Sequence, residues 1–298
     1  MAEPRFLKTS AGIFKVTIND DMHLDQATRE MKLMGKLISV GGKNTCVFIK
    51  TSNEFPEAYL ANVITREGGC EINDKKISGN NTIIMIKLAF TIVKEIALHV
   101  RTLKLQDTSS FSCELPNNKS FGINLSLYEL AFHNATWYER HFNARIPVQS
   151  ADIQYMNAKK GFNEPKPTNF DFNNNDLNDI LMPIYIKTTT WKEFFSEIYK
   201  MEHKCRIMFP WYKEAIMLAM GGISYENQFR AIDIYSEPNG AIEYKEVKMG
   251  SRGGTRKAQH EFMEYIEPTD YILDNQKRIS NEDIYKLTYT KADLKRKK

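Results

Sequence analysis

Three short stretches hold residue types at spacings that could do chemistry. The first, KKISGNNT at residues 75–82, sets Gly79 and a run of small polar residues just ahead of a strongly apolar segment. Glycine permits positive φ or a close backbone approach, and the first N–H groups of a helix starting here would point outward without partners. Such a start can hold a phosphate or pyrophosphate, although the same letters also spell a plain turn with an N-cap. The second, KMGSRGGTRK at 248–257, joins Gly250, Gly253 and Gly254 to Lys248, Arg252, Arg256 and Lys257. Its backbone and cations could hold a phosphate or a nucleic-acid backbone. It lacks the Gly-Lys-Ser/Thr ending of a Walker loop and reads equally as a solvated hairpin tip. The third, TWYERHF at 136–142, packs aromatic and charged groups close behind a helix-like segment.

Other candidates are weaker. Cys113 with His133 or His141 as base would make a thiol nucleophile, but no flanking signature supports it and lone cysteines are usually buried. Cys46, Cys70, Cys113 and Cys205 are scattered without paired spacing, which reads as reduced thiols of a cytosol-like compartment. The histidines are dispersed as well, so no metal site is expected. Asp107, in Asp-Thr-Ser-Ser, is strong local turn chemistry with Thr108 and Ser109.

The elements that must position these residues follow from pattern. With 298 residues, 42% hydrophobic and 26% charged, the chain is long enough for one large domain or two ordinary ones. A net charge of +4 excludes a uniformly basic nucleic-acid-coating surface. No apolar run reaches the length of a membrane span, and the first residues lack a secretory apolar run, so a non-secreted protein without membrane partners is expected. Residues 13–72 read mainly as β-structure: Leu37–Val40 and Thr45–Ile49 flank GGKN as a hairpin, and Tyr59–Thr65 is a third run. Met22–Met34 could hold a helix, with Ala27, Met31 and Met34 on one face. Thr82–His99 is the clearest helix, with Ile83, Ile86, Phe90, Val93 and Ala97 on one apolar face and a narrow polar stripe at Lys87, Thr91, Lys94 and Glu95. Val100–Gln106 then reads as a strand, which predicts a strand–helix–strand crossover between parallel neighbours.

Farther on, Ile123, Leu127, Leu130 and Ala131 form a helix face, with 137–142 read as the turn and strand after it. Residues 157–179, rich in Asn, Asp, Pro and Gly, read as a linker or long loop. Thr190-Trp191-Lys192-Glu193 has capping-box spacing and opens a helix; Pro210–Met220 suggests another, and strands are expected at 230–235 and 241–247. Trp191, Phe194, Phe195, Tyr199, Phe209, Trp211 and Tyr212 read as a satellite core. Lys295–Lys298 end a basic tail.

Strand, glycine-bearing loop, long helix, strand, second helix and then a (L/W)YE(K/R)xxF-like end is an order that resembles the core of GNAT-type N-acetyltransferases, over roughly residues 30–150. TWYERHF together with LKLQDTSSFSC is similar, more narrowly, to acyltransferase-like proteins of large cytoplasmic DNA viruses. The resemblance implies an α/β fold, a GNAT-like mixed sheet flanked by helices with a mainly helical C-terminal extension. It implies acetyl-CoA as acyl donor and an amine-bearing acceptor, small molecule or protein. It places Lys76, Ser78, Gly79, Asn80, Asn81 and Thr82 around the coenzyme pyrophosphate, Tyr138 as acid for the departing thiolate, and Asp107 or Glu139 as proton relay. Only Gly79 matches the family loop outright, Asn81 standing where a second small residue is usual, and the glycine before Phe142 is missing. These departures leave open a catalytically degenerate virion or assembly protein, and a nucleic-acid-associated factor using Arg252, Arg256, Lys257 and the Lys-rich tail. The plan expected is an acyltransferase domain at 1–150, a linker at 151–179, an α+β extension at 180–268 and a tail at 269–298, in host cytoplasm or virion.

Overall fold

The computed structural model describes residues 3–42, 44–63, 70–72, 75–76, 80–114, 120–172, 175–201, 207–208, 211–222 and 229–248. They fall into two compact units that interleave along the chain. One takes the residues up to Gln106, His141–Arg145 and those from Phe229 onward; the other takes Asp107–Arg140 and the residues from Ile146 to Gly222.

The first unit is built on a large, mostly antiparallel sheet. β1 (Arg5–Thr9), β2 (Gly12–Leu24), β3 (Met31–Gly41), β4 (Thr45–Thr51) and β5 (Glu57–Val63) follow one another as antiparallel neighbours. Alternation drives them: in β4, Val47, Ile49 and Thr51 are buried while Lys50 between them is exposed. A small hairpin, β6 (Glu71–Ile72) with β7 (Lys75–Lys76), leads into α1 (Asn80–Ile96). β8 (Thr102–Gln106) then lies parallel to β5, as the crossover reading expects. β11 (Phe229–Asp233) borders β8 and β12 (Lys245–Glu246) borders β1, so both outer strands come from the C-terminal part of the described chain. α1 buries Met85, Ile86, Leu88, Ala89, Phe90, Ile92 and Val93 and packs on β3 and β4.

The polar stripe of α1 is covered by the chain between β11 and β12. Lys87 Nζ donates to the Pro238 carbonyl at 2.5 Å and Lys94 Nζ to that of Asn239 at 2.7 Å. The Ile242 N–H donates to Thr91 Oγ1 at 3.2 Å, and the Tyr244 hydroxyl to Glu95 at 2.7 Å.

Several expectations are corrected. Met22–Met34 is not a helix but the far end of the β2–β3 hairpin, with Met22 opposite Leu33 and Leu24 opposite Met31. Asp25 decides this locally: its carboxylate accepts from the N–H groups of Ala27 and Thr28, and Arg29 takes a left-handed φ of 56°. The cysteines are not free thiols either. Cys46 and Cys70 form a disulfide, which the wide sequence spacing concealed because β4 and the approach to β6 meet only in the fold.

The second unit holds the hairpin of β9 (Ser110–Glu114) and β10 (Ser120–Asn124), then α2 (Leu125–His133), α3 (Trp137–Phe142) as far as Arg140, α4 (Gln149–Gly161), α5 (Asn175–Lys187), α6 (Trp191–Lys200) and α7 (Tyr212–Ala219). Residues 137–142 are therefore helical rather than turn and strand. The expected linker is also part of the structure: α4 runs to Gly161, α5 starts at Asn175, and between them Phe162, Phe170 and Phe172 are buried. Phe170 and Phe172 pack edge-on to Trp211, and Trp191 stacks on Phe195, so Trp191, Phe194, Phe195, Trp211 and Tyr212 of the expected cluster belong to the core of this unit, whereas Tyr199 is exposed and Phe209 lies outside the described residues. The capping box at Thr190 and Glu193 is present as read. At Gly161 any Cβ would overlap the Ala219 carbonyl oxygen, which is why α4 can end so close to α7.

Candidate functional site

In the first unit, the place where a ligand could enter is set by how β5 and β8 part. Their ladder covers only Glu57↔Thr102, Ala58↔Leu103 and Tyr59↔Lys104, although β5 continues to Val63 and β8 to Gln106. A bulge contributes: against β4, Ile49 faces Leu60 but Phe48 faces Asn62, leaving Ala61 as the extra residue. The facing edges beyond Tyr59 and Lys104 therefore carry backbone groups that this ladder does not use. The carboxyl ends of parallel strands joined by a helical crossover are where open α/β sheets bind ligands.

In the chain, α1 lies between β5 and β8. Asn80 and Asn81 are exposed, Thr82 is buried, and the first turn contains no acidic residue. The opening N–H groups thus meet no carboxylate of their own helix, which suits an anion. Ser78 and Gly79 lie outside the described residues, as does the side chain of Lys76, which stands in β7.

In the second unit, Tyr138 sits on α3. Thr136 and Glu139 open this helix reciprocally: the Glu139 N–H donates to Thr136 Oγ1 at 3.4 Å and the Thr136 N–H to the Glu139 carboxylate at 3.3 Å. Tyr138 is 5% exposed, with the Trp137 ring edge-on at 5.1 Å. Burial, and then the neighbouring Asp107 carboxylate, hold its hydroxyl proton well above the usual phenol range, while a hydrogen bond with Ser109 works the other way. Asp107 is itself 3% exposed and directly follows β8 in the chain. The fold thus brings Tyr138 and Asp107 together, with Ser109 as a third member that sequence reasoning treated only as turn chemistry.

Glu139 does something else. Its carboxylate accepts from the Tyr155 hydroxyl and from Lys159 Nζ, the latter at 2.8 Å, and so ties α3 to α4. Arg140, next along, is bound to Glu129 of α2 at 2.5 Å. Tyr155 and Lys159 stand four apart on α4, a helical spacing that could have flagged a shared partner.

Cys113 is disulfide-bonded, which removes its reading as a nucleophile. Of the basic loop at 248–257 only Lys248 is described; Arg252, Arg256, Lys257 and the Lys-rich tail lie outside the described residues. No described helix is long and apolar enough to cross a membrane. Compared with known proteins, the chain matches no family model, no curated protein and no solved structure. Its class rests on the architecture alone: a mixed α/β protein with a large, mostly antiparallel sheet flanked by helices.

Proposed function

We propose that the chain is an acyl-CoA-dependent acyltransferase of GNAT-like fold, moving acetyl from acetyl-CoA to an amine. The observation that carries this reading is the parting of β5 and β8, two parallel strands joined through α1, whose first turn holds no acid. The thioester arm of the coenzyme is extended and carries amides, so unused N–H and C=O groups on facing strand edges suit it. The N–H groups at Asn80, Asn81 and Thr82 would hold the pyrophosphate. In the reaction a neutral amine nitrogen attacks the thioester carbon, the C–N bond forms, the C–S bond breaks, and the nitrogen's proton must finally reach sulfur. In the second unit, the neighbouring Asp107 and Tyr138 are the groups that the acetyltransferase resemblance nominates for accepting the ammonium proton and protonating the thiolate.

A second reading has its own observation. Tyr138 is nearly sealed and holds its proton above the ordinary phenol value, whereas a thiolate of pKa about 8.5 is a much weaker base. Proton transfer from this phenol is uphill unless the phenolate is stabilised as it forms. That favours a protein that keeps the fold and binds an acyl-CoA or a partner without transfer.

Calorimetry with acetyl-CoA and CoA separates the two, followed by single-turnover transfer to a panel of small amines. The enzymatic reading expects binding, and a loss on the order of 10²-fold in turnover for Tyr138→Phe with coenzyme affinity unchanged. Binding without turnover supports the second reading, whereas turnover indifferent to Tyr138→Phe keeps the enzyme and removes Tyr138 from the acid role. No heat at millimolar coenzyme removes both acyl-CoA roles.

A further inference from the structure

The Cys46–Cys70 bond joins the interior strand β4 to the residue that leads into β6, and both cysteines are 0% exposed. Their sequence separation is 24, and the loop they close contains all of β5. From Cys70 the chain runs through β6 and β7 directly into α1. Cys113 is disulfide-bonded too, and no free cysteine is found among the described residues.

We infer that this chain is a substrate of a thiol-oxidising system, and that its first unit reaches full stability only once Cys46 and Cys70 are joined. The inference is independent of the acyl-transfer proposal. Chemically, the thiolate of one cysteine attacks the disulfide of an external donor, a protein disulfide oxidoreductase, and forms a mixed disulfide. The second thiolate then displaces the donor's remaining sulfur. The chain loses two electrons and two protons, and the donor's S–S bond becomes two thiols. Two thiols sealed in a sheet interior could not meet such a donor after folding, so the step precedes final closure of the unit. For the same reason a reductant reaches the finished bond only when the unit opens.

Cross-linking across this loop removes freedom from the unfolded chain, and for a unit of this size its loss should lower the melting temperature by roughly 10 °C. The full chain is prepared with and without a co-expressed disulfide-forming catalyst, alkylated under denaturing conditions without reductant, and mapped by mass spectrometry. We expect a Cys46–Cys70 cross-linked peptide in the oxidised protein. We expect the Cys46→Ala/Cys70→Ala variant to melt roughly 10 °C lower, and that pair isolates this bond from the one at Cys113. Two free, alkylated cysteines in folded protein from the catalyst-containing preparation, or equal melting temperatures for variant and oxidised protein, would overturn the inference. If the double variant does not fold, the wild type decides. Reduction by dithiothreitol should be no faster than unfolding at each temperature, and much faster reduction of the native protein refutes the sealed staple.

Discussion

Asn239 offers the sharpest test of how the first unit is held together. It is 0% exposed, and its Nδ2 donates to the carbonyls of Phe142 and Asp233, each at 2.8 Å. Its own carbonyl accepts from Lys94 at 2.7 Å. Asn239→Ala removes two hydrogen bonds, each worth about 1 kcal/mol net, and takes this donor from the buried Phe142 carbonyl, while the Asp233 carbonyl still accepts from Ser236 Oγ at 3.1 Å; the total loss is about 3 kcal/mol. A cooperative unit of roughly 150 residues unfolds with an entropy of about 0.3 kcal/mol/K, so the melting temperature should fall by about 10 °C. Asn239→Asp keeps the shape but turns a carboxylate toward two carbonyl oxygens. Its folded pKa is then raised above the unfolded value of about 3.9, so the folded state holds the proton longer and stability declines as pH rises past that value. Scanning calorimetry on both variants between pH 4 and pH 8, roughly the span of that titration, reads both effects. An alanine variant within about 2 °C of wild type, or an aspartate variant whose deficit does not grow with pH, would refute the assignment of Asn239 as a buried donor.

Other outcomes follow from the same kind of geometry. Thr190→Ala removes the hydroxyl that accepts the Glu193 N–H and should cost about 1 kcal/mol, measured by urea unfolding. The N–H groups of Thr189 and Thr190 hold the Glu193 carboxyl below its ordinary value. Its contribution is therefore complete above the unfolded value of about 4.3 and disappears as pH falls through the lower folded one; Glu193→Gln should flatten the acid limb of a melting-temperature profile, and an unchanged limb rules the linkage out. A chain ending at residue 150 lacks both outer strands and the segment over α1, so circular dichroism should find it without a cooperative transition; a sharp melt would show that β1–β8 and α1 suffice.

What could be read from sequence was whatever depended on local pattern. The α1 face from Ile86 to Ala97 and the crossover to β8 were legible because periodicity and chain length leave few alternatives. The same four-letter signal occurs twice, Thr136-Trp-Tyr-Glu139 and Thr190-Trp-Lys-Glu193, and both sites are helix starts. Only the second was recognised, because the aromatic and charged crowding after Trp137 suggested a strand and a surface. Met22–Met34 misled in the opposite way: Ala27, Met31 and Met34 have helical spacing, but Asp25 offers the backbone a turn that costs less than a helix start. Residues 162–172 are the long loop of the two alternatives but not at the surface throughout, because composition counts Asn and Pro and not where Phe162, Phe170 and Phe172 go. The disulfide was invisible for a more general reason, since pairing depends on which strands meet and not on how far apart cysteines are written.

The candidate site was legible by residue and not by role, and the reason is physical. Asp107 is nominated by its place at the end of a strand and Tyr138 by its match to the tyrosine of the family motif, and the fold makes them neighbours. Glu139 lies beside Tyr138 in sequence yet points into a bond with Tyr155 and Lys159, because adjacent residues of a helix face different directions. On α3 the side chain of Glu139 is directed to Tyr155 and Lys159, while Tyr138 neighbours Asp107. The bonds from Glu139 to α4 and from Arg140 to α2 together hold the rotation of α3 about its axis. The resemblance nominates both residues; the contacts seen for Glu139 are ones that tie α3 to α4, and the contact seen for Tyr138 is with the Asp107 carboxylate.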